Sequence, residues 1–177
     1  MENSPRKLVR DLMKVGVPNC PPETPVTDIA HLLLEKGFEA IIVLGVEEGE
    51  GHAIGVVSQK ELVDCFIREG DNARNLKAED IMRSDIPQVP PDIPLQTAFQ
   101  IMQDTGVRAV FLMHHAGGVI YSAAYLSYNH ILRYLEAKSD DELTDLGIRA
   151  ERTSPLDAFI QKRDAARRAR TQHSGGG

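Results

Sequence analysis

Pro18-Asn19-Cys20-Pro21-Pro22-Glu23-Thr24-Pro25 and Pro87-Gln88-Val89-Pro90-Pro91-Asp92-Ile93-Pro94 are one pattern written twice, 69 residues apart. The four prolines of each octet coincide without a gap, although proline averages only about one residue in twenty. The register extends outward. Asp11 and Met13 fall on Asp80 and Met82, while Gly37, Ala40 and Ser58 fall on Gly106, Ala109 and Ser127. A fixed internal period of this kind marks a duplicated structural unit, which governs every other reading of the chain.

Each copy carries the same succession of signals. The proline-rich segment is extended, because the residue before a proline is pushed away from helical backbone. Pro25 and Pro94 suit the first turn of a helix, where a missing N–H costs nothing. Behind them Val26, Ile29, Ala30 and Leu33, or Leu95, Ala98, Phe99 and Met102, follow the i, i+3, i+4, i+7 stripe of a helix with one buried face. Gly37 and Gly106 stand where such a helix needs a left-handed closing residue. Apolar runs at Ala40–Val46 and Ala109–Met113, closed by Ala53–Val57 and Val119–Leu126 across glycine-rich turns, predict two hairpins. A last helix opens at Ser58 or Ser127 and is expected to bury Leu62, Cys65 and Phe66, or Ile131, Tyr134 and Leu135. The expected class is α/β (α+β): two β-α-β-β-α units, residues 8–70 and 76–138, followed by residues 139–177. One such unit buries too little apolar surface for comfort, and two packed sheet against sheet solve that.

With 177 residues, 42% apolar and 26% charged, the chain has the composition of a globular protein. A net charge of −6 argues against a nucleic-acid partner recruited by bulk electrostatics. No apolar run approaches the roughly 18 residues of a membrane helix, and the N-terminus lacks the apolar stretch of a secretory signal. Cys20 and Cys65 form no CxxC, so neither a disulfide framework nor a zinc site is encoded, and a cytoplasmic location is expected.

Two tandem units, opening with Asp11-Leu12-Met13 and Asp80-Ile81-Met82, resemble a pair of cystathionine-β-synthase (CBS) domains, the Bateman module. Gly55-Val56-Val57-Ser58-Gln59-Lys60-Glu61 is similar to that family's G-h-x-[ST]-x-x-D nucleotide signature. The resemblance covers roughly residues 8–138 and implies an α/β disc whose two units are related by a pseudo-twofold, with two clefts between them. In that family such clefts often bind AMP, ADP, ATP or another adenosine compound, and the modules regulate rather than catalyse and commonly pair into homodimers. In the first cleft it implies that Gly55, Ser58, Lys60 and Glu61 meet Ile86 and Pro87 as an adenine slot. Val107 would lie beside that slot, and Arg108 near the phosphates. In the second cleft the signature reads Ala124-Tyr125-Leu126-Ser127-Tyr128-Asn129-His130, with His130 in place of the acid and Glu39 in place of the arginine. Val17, Pro18, Phe38, Glu39, Ser127 and His130 therefore line a degenerate cleft, expected to be empty or to hold something other than an adenine nucleotide. No cofactor is implied as obligatory.

Several of these residues have plainer explanations. Ser58-x-x-Glu61 is also a capping box, in which Ser58 bonds the third helical amide and Glu61 reaches back to the Ser58 amide. Ser127 lacks an acid three residues on, so its cap is expected to be half of one. Arg108 can simply pair with a surface carboxylate, a contact contributing about 0–1 kcal/mol. Adjacent His114 and His115 point to opposite faces of a strand and cannot chelate one ion, so no metal is expected. No base-oriented nucleophile or paired acids stand in one motif, which argues against an enzyme. Beyond the repeat, 139–145 is an acidic link, and Ser154-Pro155-Leu156-Asp157 starts a helix ending in Lys162, Arg163, Arg167, Arg168 and Arg170. Two functions follow as expectations: a stand-alone adenine-nucleotide sensor signalling to a partner, or a ligand-free dimerising scaffold that binds its partner through that C-terminal helix.

Overall fold

The computed structural model describes residues 6–47, 50–116 and 119–145. The helix predicted from Ser154 lies outside them.

The order of elements is β1 (Lys14–Val15), β2 (Asn19–Cys20), α1 (Val26–Lys36), β3 (Ala40–Glu47), β4 (Glu50–Ser58), α2 (Gln59–Glu69), α3 (Ala78–Ile81), α4 (Leu95–Thr105), β5 (Ala109–Ala116), β6 (Val119–Ser127), α5 (Tyr128–Glu136) and α6 (Asp140–Asp145). Short 3₁₀ turns stand at Val9–Asp11 and Gly70–Asn75. The long elements repeat with the 69-residue period read from the prolines, down to a bulge between Val43 and Leu44 and its counterpart between Leu112 and Met113. α1 and α4 end at Gly37 and Gly106, whose φ values of 65° and 68° are the left-handed backbone expected of them.

Two three-stranded sheets result, in the orders β2-β3-β4 and β1-β6-β5. The hairpins β3/β4 and β5/β6 are antiparallel, and β2 runs parallel to β3. In the second unit the strand equivalent to β2 is reduced to one bridge, Gln88 to Phe111.

Each lead-in segment leaves its own unit and packs on the other. Lys14 and Val15 pair with Tyr125 and Ala124 of β6, and Arg83 bridges to Val56 of β4 at the equivalent register. Helix starts follow the same exchange: the Leu95 N–H donates to Lys7 O, and that of Val26 to Leu76 O, both at 2.9 Å. Val9, Leu12 and Met13 accordingly belong to the core of the second unit with Met102, Val110 and Leu126. Ala78, Ile81 and Met82 join the core of the first with Ile29, Ile41 and Val57. A third cluster joins the units, with Ala40, Ile42, Ala53 and Val56 against Ala109, Phe111 and Tyr125.

Two expectations need correction. Phe66 and Leu135 are 59% and 72% exposed rather than buried. Phe66 follows the buried Cys65, and Leu135 follows Tyr134, which packs on the second core; a residue one step along a helix is turned about 100° away. The acidic link after α5 is helical, and Leu143 of α6 is buried among Val9, Leu12 and Met102.

Candidate functional site

Strand β4 delivers Ser58 to the start of α2, where extended backbone (φ −111°, ψ 176°) makes it the N-cap. Its hydroxyl accepts the Lys60 N–H at 3.1 Å, while Glu61 Oε2 accepts the Ser58 N–H at 2.8 Å and also the Ser58 hydroxyl. The capping box is thus formed, and it engages one carboxylate oxygen of Glu61. Lys60, on the exposed side, pairs with Asp64 one turn on.

Gly55 serves close approach. A Cβ there would stand 2.7 Å from Met82 Sδ and 3.0 Å from Arg83 O, so the lead-in of the second unit occupies the space that the absent side chain leaves. Arg83 and Val56 exchange both backbone hydrogen bonds at 2.9 Å, fixing that contact. As a result Lys60 and Glu61 share an open groove of about 400 Å³ with Asp64, Arg68, Asp80, Ile81, Met82 and Arg83. Sequence reasoning missed Arg83 and its counterpart Lys14. The repeat carried the signal, since each is the cation directly following an Asp-x-Met tripeptide.

Ile86 packs on the inter-unit cluster beside Val56, and Pro87 O accepts the Phe111 N–H at 2.8 Å. Val107 packs on the core of its own unit. Arg108 is 57% exposed; its Nε lies 3.7 Å from Glu39 Oε1, and its guanidinium carbon 5.6 Å from the ring centre of Tyr128. Those four residues do not line the groove of Met82 and Arg83. Arg108 reaches the start of α2 through Glu39, whose carbonyl accepts the Gln59 N–H at 3.3 Å.

The second cleft is filled by its own side chains. Phe38, Tyr125 and His130 stack edge to face, with ring centres 6.3 and 5.0 Å apart, and Glu39, Ser127 and His130 are buried. Pro18 O accepts the Ile42 N–H, and Val17 packs beside Phe38. At Ser127 the position of the missing acid is taken by His130, whose Nδ1 accepts the Ser127 N–H at 3.0 Å. Burial above all, with the nearby cations Arg133 and Lys14, pushes the His130 imidazole down to about 4, so at neutral pH it is uncharged and able to accept. Cys20 belongs to the core of the first unit, and burial raises its thiol pKa.

A duplicated fold with exchanged lead-ins and a serine-capped signature helix in each half is matched twice by the family profile of the CBS domain, over residues 9–68 and 78–136. The chain belongs to the CBS-domain family. Its two units make it a CBS pair, of a kind generally regulatory rather than catalytic. The CBS-domain containing protein ATU1752 from Agrobacterium tumefaciens shares the fold, with a TM-score of 0.62 at 16% identity over 75% of this chain and 96% of that one. So does the CBS-domain pair of protein MJ0100, solved in complex with 5′-methylthioadenosine and S-adenosyl-L-methionine, with a TM-score of 0.59 at 16% identity over 76% and 100%. In sequence the chain is 25% identical over 123 residues to the uncharacterized protein MK0525 of Methanopyrus kandleri. That match takes in 70% of this chain and 61% of the relative, so it spans about three fifths of the length of that protein. Among the described residues no helix is long and apolar enough to cross a membrane.

Proposed function

We propose that this CBS pair is a regulatory protein that binds an adenine nucleotide in its first cleft and passes that occupancy to a partner protein. The observation that carries the reading is Glu39, whose carbonyl accepts the Gln59 N–H at the capped start of α2 and whose carboxylate lies 3.7 Å from the exposed guanidinium of Arg108. Ser58 and the second carboxylate oxygen of Glu61 serve the ribose, with Gly55 and Lys60 flanking them. Ile86, Pro87 and Val107 offer apolar surface to the base. Arg108 supplies the phosphate with charge-assisted contacts. The adenosine-type ligands in the MJ0100 complex support the ligand class. A ligand bridging the two units favours the closed arrangement, and at 100 times its dissociation constant it stabilises that state by about 2.7 kcal/mol.

The assembly proposed is a homodimer. Apolar side chains stand exposed at equivalent positions of α2 and α5, Val63 with Leu132 and Phe66 with Leu135, at 56–72% exposure. A face with internal twofold likeness suits self-association. Two buried, unpaired cysteines support a reducing, cytoplasmic compartment. The completed capping box and the filled second cleft favour a second reading, a dimerising scaffold without ligand.

Calorimetric titration with AMP, ADP, ATP, NAD, S-adenosylmethionine and cyclic di-AMP separates the two. Binding of one compound to the wild type, weakened about tenfold in Arg108→Ala, is the expected result. A wild type that takes none of them leaves the scaffold reading.

A further inference from the structure

Glu39 and Arg108 are the same position in the two units, 69 residues apart. In an exact duplication two like side chains would approach each other near the axis. Here they are opposite charges and they meet, Arg108 Nε lying 3.7 Å from Glu39 Oε1. The pair is unequal: Glu39 is 4% exposed and Arg108 57%. Removing a carboxylate from water costs several kcal/mol unless partners compensate. Besides Arg108, Glu39 has the Asn129 N–H at the start of α5, 3.3 Å from its Oε2. A guanidinium together with a helix N-terminal amide is the setting in which a phosphate group binds. Through its carbonyl Glu39 also takes the Gln59 N–H at the start of α2. One residue therefore contacts the first turn of both signature helices.

We propose that Glu39 is an intramolecular competitor for Arg108, standing in for a ligand phosphate and setting how strongly the first cleft accepts an anionic ligand. The proposal rests on the nucleotide reading above. Glu39 is held by burial and by α5, whereas among the described residues the Arg108 side chain is tethered through Nε, at a distance longer than a hydrogen bond, and by the face of Tyr128. Its long stem and remaining donors leave it able to turn toward a phosphate. To do so it gives up Glu39, and the phosphate enters within the field of a buried negative charge. Adenosine, lacking a phosphate, meets no such competition. Once Arg108 departs, the Glu39 carboxylate keeps the Asn129 N–H, so occupancy of the first cleft is felt at the start of α5.

The test is calorimetric titration of the full chain with AMP and with adenosine, for wild type, Glu39→Gln and the double variant Glu39→Gln/Arg108→Gln. Glutamine keeps an acceptor for the Asn129 amide and removes the charge. The expected result is that Glu39→Gln binds AMP about tenfold more tightly and adenosine unchanged, the gain vanishing in the double variant. Equal AMP affinity in wild type and Glu39→Gln overturns the proposal and leaves the nucleotide reading standing. Equal tightening for both ligands also overturns it, because it signals a loosened cleft. Binding of neither ligand to any of the proteins overturns both. Should Glu39→Gln fail to fold, the side-chain N–H resonance of Arg108 in the wild type decides: movement with AMP but not adenosine supports the proposal, and the same response to both overturns it.

Discussion

His130 accepts the backbone N–H of Ser127 through Nδ1 at 3.0 Å, a neutral imidazole doing at α5 what the Glu61 carboxylate does at α2. The substitution works because His130 is buried and unprotonated; a protonated ring would lose the acceptor and add a charge facing Lys14 and Arg133.

Stability should therefore fall on mild acidification. The unfolded imidazole titrates near 6.5 and the folded one near 4, so between those values the unfolded chain binds the extra proton. The contribution is complete above about pH 6.5 and is lost as pH drops toward 4, a change on the order of 3 kcal/mol. Urea denaturation across that range should show the slope in wild type. His130→Gln, which preserves a capping acceptor, should flatten it; an unchanged slope would mean another group titrates.

Glu61→Gln separates capping from ligand contact. Glutamine completes a capping box as glutamate does, so the denaturation midpoint should move by less than about 0.5 kcal/mol. A ribose partner, by contrast, loses its charge, and affinity for an adenosine compound should drop about tenfold. If stability falls while any binding is untouched, the residue is a cap alone.

Gly55→Ala should destabilise the first unit by about 1–3 kcal/mol. Its new methyl would stand 3.0 Å from Arg83 O, a backbone atom held by two hydrogen bonds to Val56, as well as against Met82. The equivalent position in the second unit is already Ala124, so its lead-in runs beside a side chain there. Ala124→Gly should cost less than Gly55→Ala in the same urea assay.

The exchanged lead-ins make a directional prediction. Leu12 is 1% exposed within the core of the second unit, and Leu12→Ala should cost about 2–5 kcal/mol. Amide exchange should quicken in β5, β6 and α4 before β3 and α1. Faster exchange in the first unit instead would contradict the exchange of segments.

Phe66→Glu should convert a dimer to a monomer with little change in melting temperature, since that ring is already 59% exposed within one chain. Light scattering coupled to gel filtration reads the result. A wild type that is itself monomeric at micromolar concentration rules out the proposed face.

Much of the fold was legible because its determinants are local. Proline positions, the 3.6-residue apolar stripes, left-handed glycines at Gly37 and Gly106 and short apolar hairpin runs each constrain a few neighbouring residues, and the 69-residue register doubled every signal. The Ser58 cap was readable for the same reason. Val9, Leu12 and Met13 are visibly apolar, yet apolarity does not say which of two similar cores they fill. Phe66 and Leu135 were misplaced because a helix flank next to a filled core still looks apolar in sequence.

Which side chains face one another across the axis is a different kind of fact. The family resemblance assigned Glu39 and Arg108 to separate clefts, and His130 to the place of a missing acid. Packing of one unit against the other brought the first two together and burial turned the third into a neutral acceptor, because charge pairing and proton affinity depend on distance and solvent exclusion. Neither quantity is written in the order of the residues; both arise when the duplicated halves close on each other.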